Sequence, residues 1–169
     1  MAQPVAKRPV LHLPLSRLEK IIEVAAGIGI LVALFIMLFY RPILPDSVPS
    51  HFGAAGTPDA WGNKGLLSIL IAIPTVIYLG MTLLSRFPQI YNYPFALTEE
   101  NAESQYRCAR VLMSALKAEI TWFFVYLEWR VIQIAFGSGQ GLGSNLKFIL
   151  LVCFAATLAV YFYCASRLR

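Results

Sequence analysis

Charge is what this chain has least of: 14% of its 169 residues are Asp, Glu, Lys or Arg, while 58% are apolar. A soluble domain of this length carries far more charge, so the scarcity points to an integral membrane protein. Cysteine is scarce as well, three in all, with no CxxC or CxxxC pair. Cys153 and Cys164 fall too far apart on one predicted helix to bond, and Cys108 is expected on the reducing side. That excludes a disulfide framework and leaves structural thiols. The two histidines, His12 and His51, fall on opposite sides of the expected membrane, and no Ser/His/Asp or Cys/His arrangement can be assembled. The glycine-rich stretch 137–145 does not match GxGxxG and follows a predicted helix, not a strand, which argues against phosphate binding. No internal repeat is evident. The expectation is a protein that is not an enzyme and holds no cofactor.

What the chain does have is long apolar runs. Stretches 24–40, 65–85 and 148–166 are uncharged, and each approaches the roughly 20 residues that cross a bilayer. The first extends back to Ile21 with Glu23 near the interface. A fourth run, 120–136, is interrupted by Glu128 and Arg130. These runs predict an all-α integral membrane four-helix bundle forming a single domain over 1–169. Its spans are expected at about 21–40, 66–85, 119–137 and 146–166, with an external cap at 41–65 and a cytoplasmic segment at 86–118. The first run is longer than the ~7–15-residue core of a signal peptide, and Tyr40-Arg41-Pro42 is a poor cleavage site.

Basic residues set the orientation. Lys7, Arg8, Arg17 and Lys20 precede the first span, Arg86, Arg107, Arg110 and Lys117 lie between the second and third, and Arg167 and Arg169 follow the fourth. The other side has Arg41, Lys64, Lys147 and Arg130. Positive-inside reasoning then places both termini in the cytoplasm and the cap outside. Topology and anionic headgroups account for the basic balance, so the bilayer is the expected partner and nucleic acid is not.

In chain order, the prolines of 1–14 predict an irregular arm. Ser16 with Glu19 three residues on has the capping-box pattern of a helix start. Gly27 and Gly29 would allow close helix approach. Pro74 should kink the second span unless a neighbour satisfies the freed carbonyl, and Phe87-Pro88 marks its stop. The aromatic segment 89–97 should be extended and interfacial. Thr98 is the expected N-cap of a third helix, with acids in its first turn. From Glu99 to Phe136 there is neither proline nor glycine. One helix of about 57 Å, or a break near 117–119, both remain open.

The loop 44–64 is the densest in turn formers. Its prolines rule out a continuous helix, and its glycines permit left-handed turns, so a compact folded cap is expected. His51, Asp46 and Asp59 are conceivable metal ligands, but they lack a recognised zinc spacing. Against that stands a plain reading in which the aspartates form Asx turns and His51 bonds the loop backbone. No metal is expected. Trp61 is read as an anchor at the outer interface. Glu128 and Arg130 point to different faces of their helix, and Arg130 can snorkel outward. For Glu128 a functional role and a bundle-locking hydrogen bond both stay open. Glu100, Glu103, Arg107, Arg110, Lys117 and Glu119 form a charged face expected to be solvated or to rest on headgroups.

The ordered run Leu44-Pro45-Asp46-x-Val48-Pro49-x-His51-Phe52-Gly53-x-x-Gly56-x-Pro58-Asp59-x-Trp61-Gly62-x-Lys64 resembles the signature of the domain-of-unknown-function 1648 family. Asn92-Tyr93-Pro94, then Thr98-Glu99-Glu100-Asn101-Ala102-Glu103-x-Gln105-Tyr106-Arg107, and the turn Gly141-Leu142-Gly143 are similar to blocks of its short four-span members. The resemblance implies a multi-pass protein of the bacterial plasma membrane. The same signature occurs in proteins similar to SdpI-type immunity proteins, which protect against a secreted toxic peptide and are longer than this chain. The expected function is a non-enzymatic sensor, immunity or accessory factor that binds a peptide, lipid or membrane-protein partner. Its candidate contact residues are Asp46, His51, Phe52, Asp59 and Trp61 outside, Asn92, Tyr93, Glu99, Glu100, Asn101, Glu103, Tyr106 and Arg107 inside, and Glu128 between. A structural subunit of a larger membrane complex is the first alternative, and an enzyme or small transporter using Glu128 the second.

Overall fold

A computed structural model describes residues 8–168. Lys7 and Arg169, part of the basic-residue argument, and the first seven residues of the expected irregular arm lie outside that range.

Four helices carry the fold: α1 (Arg17–Tyr40), α2 (Leu66–Leu84), α3 (Ala102–Ala135) and α4 (Leu146–Arg167). Between α1 and α2 the chain forms an antiparallel hairpin of β1 (Ser47–Phe52) and β2 (Pro58–Asn63). A helix-only reading is therefore amended by one small sheet. Its cause is local: prolines bar a helix there, while Pro58 sits at a strand start, where its missing N–H is tolerated. Ser47 faces Asn63 and Pro49 faces Trp61; the register then slips, so that His51 faces Ala60 and Phe52 faces Pro58.

α1, α2 and α4 are each long and apolar enough to cross a membrane. Their outward faces carry exposed Leu31, Phe35, Val76, Leu79, Leu151 and Val160, among others. α3 is less apolar because it lies between the others, with its polar side chains turned inward. Arg110 of α3 meets Glu19 near the start of α1, and Phe136 meets Tyr40 at its end, so these two helices run parallel. Lys117 meets Thr82 of α2, and Gln105 meets Ala165 of α4, so both of those helices run antiparallel to α3.

The helix boundaries follow side-chain chemistry. Ser16 and Glu19 form the full capping box expected of them. α2 continues through Pro74 and stops before a 3₁₀ turn, Pro88–Ile90. α3 is uninterrupted over 34 residues. It begins three residues later than Thr98 and Glu99 predict, because Thr98 and Asn101 exchange side-chain-to-backbone bonds and close a separate turn first. Gly29 is needed for packing: a Cβ there would lie 2.6 Å from Thr121 Cγ2, and small residues let helices in a bundle approach closely. The three cysteines are free.

Two different cores result. At the hairpin end Leu44, Val48, Leu67, Leu70, Val131 and Ile132 form an apolar cluster. At the other end, beside the N-terminal arm, Ala109, Tyr161 and Ala165 pack with Tyr91, Tyr93 and Phe95, next to a set of buried charges.

Candidate functional site

The hairpin is seated, not tethered. Val48 is fully buried and Leu44 nearly so, both within the apolar cluster. Lys64 holds the base, donating to the Leu44 carbonyl at 3.2 Å and pairing with Asp46 at 3.0 Å. At the tip Gly56 has φ 78°, a left-handed conformation that suits glycine. Its carbonyl accepts from Leu142 N at 2.8 Å, and Lys147 Nζ donates to the Ala54 carbonyl, so the α3–α4 turn and the first turn of α4 grip the tip. A Cβ on Gly141 would lie 2.5 Å from the Gly56 oxygen. The Gly141-Leu142-Gly143 turn is thus glycine-rich where it meets the hairpin. Arg130, reaching outward as expected, holds that turn through the Gly141 carbonyl at 2.9 Å.

The opposite face of the hairpin is open. His51 Nδ1 and Asp59 Oδ1 are 2.6 Å apart in an exposed pair, and Trp61 is 53% exposed. Phe52 is half-buried against the bundle. Asx turns at Asp46 and Asp59, with His51 on the backbone, are corrected accordingly: each acid takes a side-chain cation or imidazole instead. Asp46, His51 and Asp59 do not converge, and no group of three His, Cys, Asp or Glu side chains among the described residues could hold a metal.

At the arm end most candidate residues build the loop. Tyr93 donates to Pro88 O at 2.8 Å and lies 5.6 Å from the ring of Tyr106, which is buried and donates to Pro9 O. Asn101 ties the loop to the helix start through Ala96 O. Glu103 pairs with Arg107 at 2.9 Å, and Arg107 also reaches Pro14 O. Asn92, Glu99 and Glu100 are exposed. Burial pushes the Tyr91 hydroxyl up to about 12, with Arg110 pulling the other way, and it pushes Tyr93 up too. Both phenols stay neutral and act as hydrogen-bond donors.

The charged face expected to be solvated is, for Arg110 and Lys117, a buried ionic site. Lys117 is 1% exposed and pairs with Glu23, which also accepts from Ser114 at 2.7 Å. Lys117 Nζ further donates to Thr82 Oγ1 at 3.0 Å and lies 5.2 Å from the Tyr78 ring centre. Arg110 Nε lies 2.9 Å from Glu19 Oε1, off hydrogen-bond alignment, while its Nη1 donates to Leu13 O at 2.7 Å. Glu119 accepts from Thr157 of α4. Buried charges are retained where each has a partner. The signal missed in the sequence was spacing: Arg110, Ser114, Lys117 and Thr121 recur at four, three and four, one face of a helix, opposite Glu19 and Glu23 one turn apart on α1. A cavity of about 850 Å³ between the arm and the α2 end reaches Glu23 and Arg110. Glu128 stands apart. It is fully buried in the hairpin half, and neither carboxylate oxygen has a hydrogen-bond partner.

The structure therefore groups the outer candidates on one hairpin, turns several inner candidates into loop scaffolding, and leaves Glu128 with neither set. Comparison with known proteins bears on the hairpin above all. An uncharacterized protein of Archaeoglobus fulgidus is 42% identical over 72 residues, a match covering 38% of this chain and 39% of that protein. No solved structure matches. The family model described as "Domain of unknown function (DUF1648)" matches from mid-α1, across the whole hairpin, into α2. Residues 28–77 are accordingly the part of the chain that matches the DUF1648 family.

Proposed function

We propose that this protein is a non-enzymatic, four-span plasma-membrane protein that binds a peptide or protein partner on the open face of its hairpin, as a sensor, immunity or accessory factor. The observation that carries this reading is the two-sided hairpin. One side is locked into the bundle by Leu44 and Val48, while Trp61 and the His51–Asp59 pair stand exposed on the other. An exposed indole on a rigid support is favourable contact area, because little side-chain entropy is lost on binding. The DUF1648 match centres on this element, and proteins sharing the signature include the SdpI-type immunity group.

α3 serves as the fourth span because it runs alongside the three apolar helices and buries its charges against them. With Arg110 and Lys117 internally paired, Arg8, Arg17, Lys20, Arg86, Arg107 and Arg167 remain the basic residues of the arm end. The hairpin end has Arg41, Lys64, Arg130 and Lys147, with Asp46 and Asp59 among them. That bias supports a cytoplasmic arm and an external hairpin in a bacterial-type plasma membrane.

The test is a photo-crosslinking amino acid at position 61 in native membranes. The expected result is one discrete cross-linked protein or peptide, lost when His51→Ala is added. Cross-linking to lipid alone would overturn the reading.

A further inference from the structure

Glu128 lies in the half of the bundle where the other buried side chains are apolar. Val125, Val131 and Ile132 of α3 are buried on either side of it, and Val131 and Ile132 pack with Leu67 and Leu70. No charge is available to balance a carboxylate there. On α1, Glu19 and Glu23 are committed to Arg110 and Lys117, more than ten residues back along α3, and Arg41 is exposed at the far end. Within α2 the titratable side chain is Tyr78, level with Lys117. Of the hairpin groups, Lys64 holds Asp46 and His51 holds Asp59. On α4, Lys147 reaches Ala54 and Arg167 lies at the opposite end. On α3 itself, Arg130 is turned to Gly141 and Gln133, and Glu119 to Thr157.

An isolated buried carboxylate is so costly that the group gives up its charge instead. A hard metal cation takes six or more oxygen ligands, as calcium does, and none of the required clusters exists among the described residues. A proton needs one oxygen. We propose that Glu128 is an internal proton-binding site, loaded from the arm end along the polar face of α3.

The route is laid out by residues already placed. The arm-end cavity reaches Arg110 and Glu23. Glu23 bonds Ser114 and Lys117, and Thr121 follows one turn later with a buried hydroxyl that lacks a partner. Glu128 lies seven residues beyond Thr121, about 10 Å along the axis, with Val125 between. The proton moves from water at the arm end to a Glu128 oxygen, leaving the carboxyl neutral. Its release leaves a bare anion on the same stretch of α3 as Val131 and Ile132, members of the apolar cluster that seats Val48, so loading of Glu128 and seating of the hairpin are linked. This inference stands independently of the partner assigned to the hairpin.

Infrared spectroscopy in nanodiscs tests it. At neutral pH the wild type should show the carbonyl stretch of a protonated carboxyl, shifted in D₂O. That band should vanish in Glu128→Gln, move in Glu128→Asp and persist in Glu119→Gln. Deuterium exchange of the band should slow several-fold in Thr121→Val and be unchanged in Arg41→Gln, an exposed position at the hairpin end. Absence of a protonated band sensitive to Glu128, or its loss on adding sodium, would overturn the proton site. Equal exchange rates in wild type and Thr121→Val would overturn the route. Should Glu128→Gln fail to fold, ¹³C-glutamate labelling with Glu128→Asp provides the same assignment.

Discussion

The two halves of this bundle are held together by opposite chemistry. At the hairpin end, Leu44, Val48, Leu67, Leu70, Val131 and Ile132 form a cluster with no polar member, and the β-hairpin is packed as part of the core. At the arm end, Glu19, Glu23, Arg110, Ser114 and Lys117 are buried and paired across helices. The difference teaches where specificity comes from. An apolar cluster tolerates exchange of one hydrophobic shape for another, whereas a buried ion pair fixes which turn of α1 meets which turn of α3.

The sharpest way to break the comparison is to remove one member of the ionic half. Lys117→Ala leaves Glu23 without its main counter-charge, and we expect a loss of about 3–5 kcal/mol in stability, read as a lower denaturation midpoint in detergent. The double variant Glu23→Gln with Lys117→Met should recover much of that loss, since no uncompensated charge remains. Next in size is the seam between the halves. Gly29→Ala forces a methyl against Thr121 Cγ2 and should cost about 1–3 kcal/mol, partly restored by Thr121→Ser, which deletes the opposing methyl.

Within the apolar half, Val48→Ala removes two buried methyl groups and should cost about 1.6 kcal/mol. Its loss of protection should be confined to the hairpin in hydrogen exchange. The smallest stability effect is expected for Trp61→Ala, within about 0.5 kcal/mol, because the indole is half exposed. That same change should abolish capture of a partner at the hairpin. Stability and binding would then be separated on one element.

The apolar half was the legible one. Its information is contiguous: prolines at 45, 49 and 58, glycines at 53, 56 and 62, and one Trp announce a folded cap between two apolar runs. Even so, the strand pair is not legible there, because β1 is interrupted by Pro49 and by a register slip, and it shows no clean alternation. The ionic half was read in reverse. By pattern Arg110 and Lys117 fall on a charged face that is solvated or rests on headgroups, as charged faces of helices generally are, and the partners that bury them, Glu19 and Glu23, are far away in sequence. The capping box at Ser16 was visible, but Glu19's second role, beside Arg110, was not. Arg130 behaved as its position near a helix end suggests, reaching out to the Gly141 turn. Glu128 is anomalous in the sequence already, and its lack of a hydrogen-bond partner only appears once neighbouring helices are in place.

Hydrogen–deuterium exchange on the nanodisc-embedded protein, wild type against Lys117→Met, tests the division most directly. Loss of protection in the first turns of α1, the arm and residues 106–121, with the hairpin and residues 125–135 still protected, is the result the account predicts. Parallel loss of protection in the hairpin would contradict it, because the two cores would then be one cooperative unit.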